Sequence, residues 1–292
     1  MIGGLRKMEN RRANNNVENK GIIGGLLLLP PDPRDLRVGK IFGKLPLPPN
    51  EDFKIELKLK NQGYSDMCGA YAGCSASEPQ EGVELDPNFQ FAKIKQIEGR
   101  TDTWGANLRD VCKSLVKKGS IEASESPYTN EHRDFVANWT NWDSKYDDMA
   151  FKHRKQSYFV PDGWYDTFDN FRANLWDTRE EKGIILTGTN WRQDWKSEII
   201  PKKYGSKGSG HAFVFSGQKI IDGIPYLVAH LSNGQVGDNG EFYFSREIVN
   251  KEIGGYGMFI FRDENAEEMK KTWNLWQIIY NFINNFIKNV LR

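Results

Sequence analysis

The sequence has few of the residues that mark several common classes of protein. Its 292 residues include three cysteines, without dense spacing, and four histidines. An odd and sparse set of cysteines argues against a disulfide framework and fits a reducing compartment, so we expect a cytoplasmic protein. The 40 basic and 39 acidic residues nearly cancel, to a net charge of +1. This balance gives no reason to expect a nucleic-acid partner.

Long apolar runs are also missing. The run at residues 21–31 joins two isoleucines to four successive leucines, but it is shorter than the roughly 20 residues that a membrane span needs. It also lacks the small-residue cleavage site of a secretory signal. We therefore expect residues 1–34 to form a flexible N-terminal tail.

The C-terminal part, residues 264–292, is predicted to contain an amphipathic helix. Between residues 273 and 290, apolar side chains recur at three- and four-residue steps. Asn281, Asn284 and Asn285 lie between them and argue against a membrane span. The apolar face must cover the core, a second copy of the chain, another protein or a membrane surface, and the sequence leaves these alternatives open.

One short segment carries most of the functional information. Gln62 stands six residues before Cys68, and small residues follow Cys68. A cysteine thiolate attacks carbonyl carbons, and a side-chain amide just upstream can donate to the oxyanion that then forms. The alternative for any cysteine is a small buried apolar residue. We interpret Cys74 and Cys112 in that way, since Cys112 lies on the apolar stripe of a predicted helix.

Residues 61–71 resemble the active-site motif of the papain-like cysteine peptidases. That motif runs Asn-Gln-Gly, four further residues, the nucleophilic Cys and then usually Trp-Ala-Phe, and this chain matches it without a gap. The resemblance implies that Cys68 is the nucleophile and that Gln62, with the backbone N–H of Cys68, binds the oxyanion. Two positions depart from the family. Gly69 stands where a shielding Trp is usual, and Ser65 stands where a Cys ordinarily makes a disulfide.

A base that activates the cysteine must come from the four histidines, His132, His153, His211 and His230. The first two lie in polar, charged stretches and are interpreted as surface groups. His211 begins a β-branched and aromatic run that predicts a strand, and the family's matching strand reads Gly-His-Ala-Val. It follows Cys68 by about 140 residues, within the roughly 130 to 150 expected for papain-type enzymes. We predict that His211 is the general base, the alternative being a satisfied histidine at a strand end.

In the family a third residue orients the imidazole, the Asn of Asn-Ser-Trp-Gly, and this chain departs from that pattern. An alignment anchored on residues 237–240 puts His230 at the position of the Asn. Asn233 fits only with a local deletion, and on a strand the two side chains point to opposite faces unless a turn has begun. We favour His230, because a neutral imidazole can accept a hydrogen bond from His211, and keep Asn233 as the alternative.

The resemblance extends in the same order over residues 35–263 and implies an α+β fold of two lobes with the active site in the cleft between them. The helical lobe is expected at about residues 60–160 and an antiparallel, β-barrel-like lobe at about residues 161–263. The resemblance also implies that Gly105, next to Trp104, lies along the backbone of a bound substrate, where a missing side chain permits close approach. A simple turn into a helix explains Gly105 equally well.

The sequence thus predicts a cysteine endopeptidase that acts on a peptide or protein substrate and needs no metal or other cofactor. Two alternatives remain open. A catalytically inactive papain-fold binding module would explain Gly69 and the altered third-residue segment. A transglutaminase-like acyl transferase would share the Cys and the His but fits the spacing of Gln62 and Cys68 less well. If the enzyme is latent, residues 26–31 are the apolar patch available to lie in the cleft, since the family's inhibitory proregion is far longer than this tail.

Overall fold

The computed structural model describes residues 25–28, 30, 32–128, 133–161, 165–192, 194–201, 207–253 and 255–262. His132 and the predicted C-terminal helix lie outside the described residues, as do residues 1–24 of the expected tail. The account below concerns the described residues.

Most helices of the described part lie in the first half of the chain. The α-helices are α1 (Val38–Ile41), α2 (Cys68–Glu81), α3 (Pro87–Glu98), α4 (Leu108–Lys117), α5 (Arg133–Ala137), α6 (Lys145–Ala150), α7 (Thr167–Asp177) and α8 (Arg246–Glu252), and single 3₁₀ turns cover Ala123–Glu125, Trp139–Asn141 and Phe151–His153. The sequence supplies the caps: Asp86 accepts from the N–H of Asn88 at the start of α3, and Asn107 from that of Asp110 in α4. Gly82 ends α2 in the left-handed conformation that glycine tolerates.

The strands of the described part form one antiparallel sheet. They are β1 (Phe53–Lys54), β2 (Ser157–Phe159), β3 (Ile185–Arg192), β4 (Lys207–Ile221), β5 (Ile224–His230), β6 (Glu241–Phe244) and β7 (Met258–Arg262). Their order is β2-β7-β3-β4-β5-β6, and β1 pairs with β4 as well. The mixed α+β architecture with an antiparallel sheet is confirmed. The sheet is open among these residues, because no pairing joins β2 to β6, and in this it differs from the expected barrel-like closure.

Each face of the sheet carries a hydrophobic core, because successive side chains of a strand point to opposite sides. Ala212 and Val214 of β4 lie on the face that packs against α2, α3 and α4. Phe213 and Phe215 lie on the other face, which packs against α7 and α8. Strand β4 therefore contributes side chains to both hydrophobic cores, one on each face of the sheet.

Cys74 and Cys112 are free and fully buried. Cys112 packs with apolar residues of α3 and α4 in the core on the helical side of the sheet. Burial raises the pKa of both thiols well above the usual range, since a thiolate would be desolvated there. Their interpretation as packing residues is confirmed.

Candidate active site

Cys68 is the first residue of α2 and lies where α2 contacts β4. Its side chain is completely buried. The thiol accepts hydrogen bonds from the backbone N–H groups of Gly25, at 3.3 Å, Ala212 and Gly69. Burial raises the pKa of the Cys68 thiol, and these three donors oppose the rise because they stabilise the thiolate. The reactivity of this cysteine therefore depends on relief of its burial.

His211 lies in β4, opposite Thr189 of β3. The following residue, Ala212, is the one whose N–H reaches the Cys68 thiol. The imidazole is buried and meets Trp191 edge to face, with 6.0 Å between the ring centroids. The fold thus brings the backbone beside His211 next to Cys68, although the two residues are far apart in the sequence.

Gln62 is held beside the turn that leads into Cys68. Its side-chain nitrogen donates to the carbonyl of Ser65 at 2.8 Å, and its side-chain oxygen accepts from the hydroxyl of Ser232 at 2.5 Å. The backbone N–H of Gln62 also donates to the carbonyl of Ser232, at 2.8 Å. Ser232 therefore orients the amide, a role that the sequence analysis did not identify, because it depends on a contact between distant segments.

Part of the N-terminal segment of the chain lies in the cleft over Cys68. On the sheet side, the N–H of Leu26 donates to the carbonyl of Gly210 at 2.9 Å. On the helical side, the N–H of Leu27 donates to the carbonyl of Ala106 at 2.9 Å, and the N–H of Ala106 donates to the carbonyl of Gly25 at 2.7 Å. These backbone groups are placed to hold a peptide, and the chain's own segment occupies them.

Gly105 lies directly against this segment. Its φ is +68°, and a Cβ at this position would overlap the carbonyl oxygen of Gly25. Both conditions favour glycine. The hydrogen bonds to the segment are made by the next residue, Ala106, which the sequence analysis did not single out. Trp104, on the other side of Gly105, is 55% exposed.

The side chain of Leu26 fills an apolar pocket beside Cys68. It is 6% exposed and packs in the same cluster as Cys68, Ala106 and Tyr256. The pocket has room for it because position 188 is a glycine, where a Cβ would overlap the Leu26 side chain. Backbone hydrogen bonds and apolar burial thus act together to keep residue 26 in the cleft.

His230, the favoured third residue, lies at the end of β5 and contacts Ser216. The register of β4 and β5 sets it opposite Val214 and not opposite His211. The Nε2 atom of His230 lies 2.8 Å from the Ser216 hydroxyl. This position does not favour His230 as the orienting residue, because the register between two strands decides which residues are cross-strand neighbours.

Asn233, the alternative, stands in a more suitable position. Continuing the β4–β5 register past the pair of Val214 and His230 sets Asn233 opposite His211, and residues in this relation share a face. The chain has left β5 here, and Asn233 forms a bridge with Asn61. Its side-chain oxygen is buried and has no hydrogen-bond partner among the described residues. A buried amide oxygen of this kind is available to accept an imidazole N–H.

The burial of His230 has a consequence that can be tested by its effect on stability. Burial, aided by the charge of Lys54 and opposed by that of Glu56, lowers the pKa of His230 to about 4. An unfolded imidazole titrates near 6.5, so between these values the unfolded chain binds a proton that the native chain does not. Stability is therefore complete above pH 6.5 and falls as the pH drops towards 4.

We expect the buried neutral His230 to lower the free energy of unfolding by about 3 kcal/mol as the pH falls from 6.5 to about 4. The His230→Gln variant keeps a side chain that can contact Ser216 but cannot titrate. Urea unfolding of both proteins at several pH values from 7.5 to 4.5 measures the difference. The variant should lose less stability on acidification than the parent, and parallel curves would show that His230 is not held in its neutral form.

No group of three or more His, Cys, Asp and Glu side chains able to hold a metal ion occurs among the described residues. Within the same part of the chain, no helix has the length and apolar character needed to cross a membrane.

Comparison with known proteins identifies the fold. No protein-family model matches the chain, and no curated protein matches its sequence. Its structure is similar to that of xylellain, a cysteine protease from Xylella fastidiosa, with a TM-score of 0.67 and 18% identity over 84% of this chain and 98% of that one. It is also similar to the digestive procathepsin L 3 of Tenebrio molitor, with a TM-score of 0.58 and 15% identity over 78% and 74% of the two chains. The chain has the papain-like fold.

A third similar structure is the bromelain protease of Ananas comosus in complex with the E64 inhibitor, with a TM-score of 0.51 and 16% identity over 71% of this chain and 94% of that one. Identities at this level establish a shared papain-like fold and leave the chemistry to be argued from the side chains. The resemblance expected from residues 61–71 is confirmed at the level of the fold.

Two departures from the papain-like motif have structural explanations. At Gly69, where a Trp is usual, a Cβ would already lie 3.3 Å from Val111 of α4, so the close packing of α4 against α2 leaves no room for a large side chain. Ser65, in place of a Cys, donates from its hydroxyl to the carbonyl of Gln62 at 2.9 Å. It thereby supports the turn that carries Gln62.

Proposed function

We propose that this protein is a cysteine peptidase that hydrolyses peptide bonds in peptide or protein substrates. The observation that supports this best is the contact between α2 and β4, where the N–H of Ala212, the residue after His211, donates to the Cys68 thiol. Gln62 is held in the turn that leads into Cys68. The cleft above them has backbone donors and acceptors on both walls, and these already hold an extended piece of polypeptide. A papain-like fold is consistent with the same chemistry.

In the proposed reaction the Cys68 thiolate attacks the scissile carbonyl carbon after His211 has taken the thiol proton. The negative charge moves to the carbonyl oxygen, where the Gln62 amide and the backbone N–H of Cys68 donate hydrogen bonds. His211 then protonates the leaving amine, and water hydrolyses the thioester to release the acid and the free thiol.

For the third role we propose Asn233. Its buried side-chain oxygen without a partner among the described residues, and its register position opposite His211, support this assignment. An amide oxygen would accept the second N–H of the imidazole and hold the ring in one orientation, as the carboxylate does in serine proteases. His230 has no part in the proposed reaction.

A catalytically inactive binding module remains the second candidate, because Cys68 is fully buried beneath residues 25–28. The two candidates differ in whether the thiol reacts once the cleft opens. An epoxysuccinyl inhibitor alkylates an activated thiol, and peptide mapping then identifies the modified cysteine. Cys74 and Cys112 serve as internal controls, since both are buried in the core.

We expect slow labelling of Cys68 in the parent protein and faster labelling in the Leu26→Asn variant. Asparagine has the same number of side-chain heavy atoms and the same branching at Cγ as leucine but would bury an amide in an apolar pocket, which costs about 2 to 3 kcal/mol and shifts the segment out of the cleft. The labelling rate should rise by roughly 30- to 140-fold, because each 1.4 kcal/mol changes the open population tenfold.

The Leu28→Asn variant is the matched control, because Leu28 is 71% exposed and its replacement should leave the rate unchanged. Hydrolysis of a fluorogenic peptide is measured on the same three proteins. If Cys68 stays unmodified in Leu26→Asn while the segment is shown to be displaced, the protein is a binding module and the proposed peptidase function is wrong.

A further inference from the structure

Gly105, the residue before Ala106, has both its backbone N–H and its carbonyl hydrogen-bonded to buried charged side chains. The N–H of Gly105 donates to a carboxylate oxygen of Asp66 at 2.5 Å, and its carbonyl accepts from the ammonium group of Lys95. The side chains of Asp66 and Lys95 are both fully buried. One peptide residue in the left-handed conformation is thus fixed by an anion on one side and a cation on the other.

Arg133 connects this arrangement to the rest of the loop between α3 and α4. Its guanidinium donates to both carboxylate oxygens of Asp66, at 3.0 and 3.1 Å. It also donates to the carbonyls of Thr101 and Thr103, at 3.1 and 2.5 Å. The Asp66 carboxylate therefore accepts three hydrogen bonds, one from the N–H of Gly105 and two from Arg133. Three carbonyls of the loop accept from Lys95 and Arg133.

Burying these charges has a cost that stability alone does not explain. A buried ion pair is often no more stabilising than an apolar pair of similar size, whereas its hydrogen bonds select one geometry. Burial lowers the pKa of Lys95, and the neighbouring Glu98 opposes the change. The selected geometry is that of Gly105, whose conformation directs the N–H and the carbonyl of Ala106 into the cleft.

The position of Asp66 links this network to the nucleophile. Asp66 stands two residues before Cys68, in the turn that begins α2. The neighbouring Ser65 occupies the position at which papain-like peptidases ordinarily have a disulfide-forming Cys. The chain has free cysteines in its described part, and in place of a covalent link it has this set of charged hydrogen bonds between the nucleophile turn and the loop.

We propose that Asp66, Lys95 and Arg133 are positioning residues that fix Ala106 relative to Cys68. They keep the substrate backbone in register, so that its scissile carbonyl lies at the thiolate, and they do so without touching the substrate. This inference rests on the proposed peptidase function. In this proposal one buried ionic network fixes the distance between the nucleophile and the loop that binds the substrate backbone.

The test compares Asp66→Asn with Glu81→Gln. Glu81 lies at the other end of α2 and pairs with the fully buried Lys155 at 2.8 Å, so its variant removes a similar charge from the same helix away from the cleft. Kinetics are measured in the Leu26→Asn background, where the chain's own segment competes less for Ala106. Hydrogen bonds from Ala106 are remote from the reacting carbonyl, so their loss weakens ground state and transition state alike.

We expect Asp66→Asn to raise KM by roughly 10- to 50-fold with kcat within about threefold of the parent, since two backbone hydrogen bonds are misplaced. Glu81→Gln should leave KM unchanged. Restoring a neutral hydrogen-bonded pair in the double variant Asp66→Asn/Arg133→Gln should recover part of the loss. Unchanged KM in Asp66→Asn, or an equal rise in Glu81→Gln, would overturn the inference.

A second measurement does not depend on activity. In the otherwise parent chain, the amide protons of Leu27 and Ala106 should exchange faster in Asp66→Asn and at the parent rate in Glu81→Gln. If no variant hydrolyses peptides but this difference is found, the proposed function fails and the positioning network stands. If Asp66→Asn does not fold, Arg133→Lys keeps the charge but cannot reach both Asp66 and the loop carbonyls. Parent-like KM and exchange in Arg133→Lys would then refute the role.

Discussion

The Cys68→Ala variant is expected to lose peptide hydrolysis by roughly 10⁶-fold, as when a protease nucleophile is removed. The substitution deletes one sulfur atom and leaves the start of α2 and the backbone N–H of residue 68 in place. The melting temperature should therefore change little, by an amount equivalent to about 1 kcal/mol. Hydrolysis of a fluorogenic peptide in the Leu26→Asn background and calorimetric melting of the same samples measure both effects.

Cys112→Ala is the matched control, because Cys112 is also fully buried and belongs to the same hydrophobic cluster as Cys68. The Cys112→Ala variant should keep its activity, and the substitution should change only the melting temperature. The opposite pattern, in which Cys112→Ala is inactive and Cys68→Ala is active, would assign the nucleophile to the wrong cysteine.

Replacement of Gln62 should reduce kcat rather than affinity. Its amide donates to an oxyanion that exists only in the transition state, so Gln62→Ala should lower kcat by roughly 10²-fold with KM little changed. Gln62→Glu keeps the shape of the side chain but removes the donor and adds a negative charge, and its kcat should fall at least as far. Steady-state kinetics with one peptide substrate give both constants.

The control for these variants is Gln90→Ala. Gln90 is also buried and its amide donates to a serine hydroxyl, that of Ser114, but this contact joins α3 to α4 away from the cleft. Its loss should reduce stability and leave kcat unchanged. Parent-like kcat in both Gln62 variants would remove Gln62 from the oxyanion site, and a rise in KM alone would assign it to substrate binding. The expected loss of kcat at unchanged KM is the reverse of the result expected for Asp66→Asn, in which KM rises and kcat is little changed. The two proposals are therefore tested separately.

Local patterns were sufficient for much of the fold. The β-branched and aromatic run that begins at His211 predicts a strand, and it lies within β4, and the apolar stripe around Cys112 predicts the helix that buries it. These elements are predictable because periodicity and turn residues act over a few neighbouring positions. The open form of the sheet was not predictable, since it depends on pairings between strands distant in sequence.

The position of His230 relative to His211 was not predictable for a related reason. Alignment on the glycines at residues 237–240 counts positions along the chain, whereas the face of a side chain depends on the register of β4 and β5. That register changes at a bulge between Phe215 and Gly217, and a shift of one residue moves a side chain to the opposite face. No pattern within the segment around His230 reports the bulge, which lies on the neighbouring strand.

Spacing within a short segment and the resemblance that it carries were therefore enough to propose Cys68 and Gln62, and the few histidines left His211 as the candidate base, because the chemistry restricts each role to few residue types. The contacts that prepare those residues were not visible in the sequence. Ser232 reaches Gln62, Asp66 reaches Gly105, and Leu26 lies over Cys68 only after the chain has folded. Each of these is a contact between segments far apart in the chain, and its geometry depends on how α2, α4 and β4 pack together.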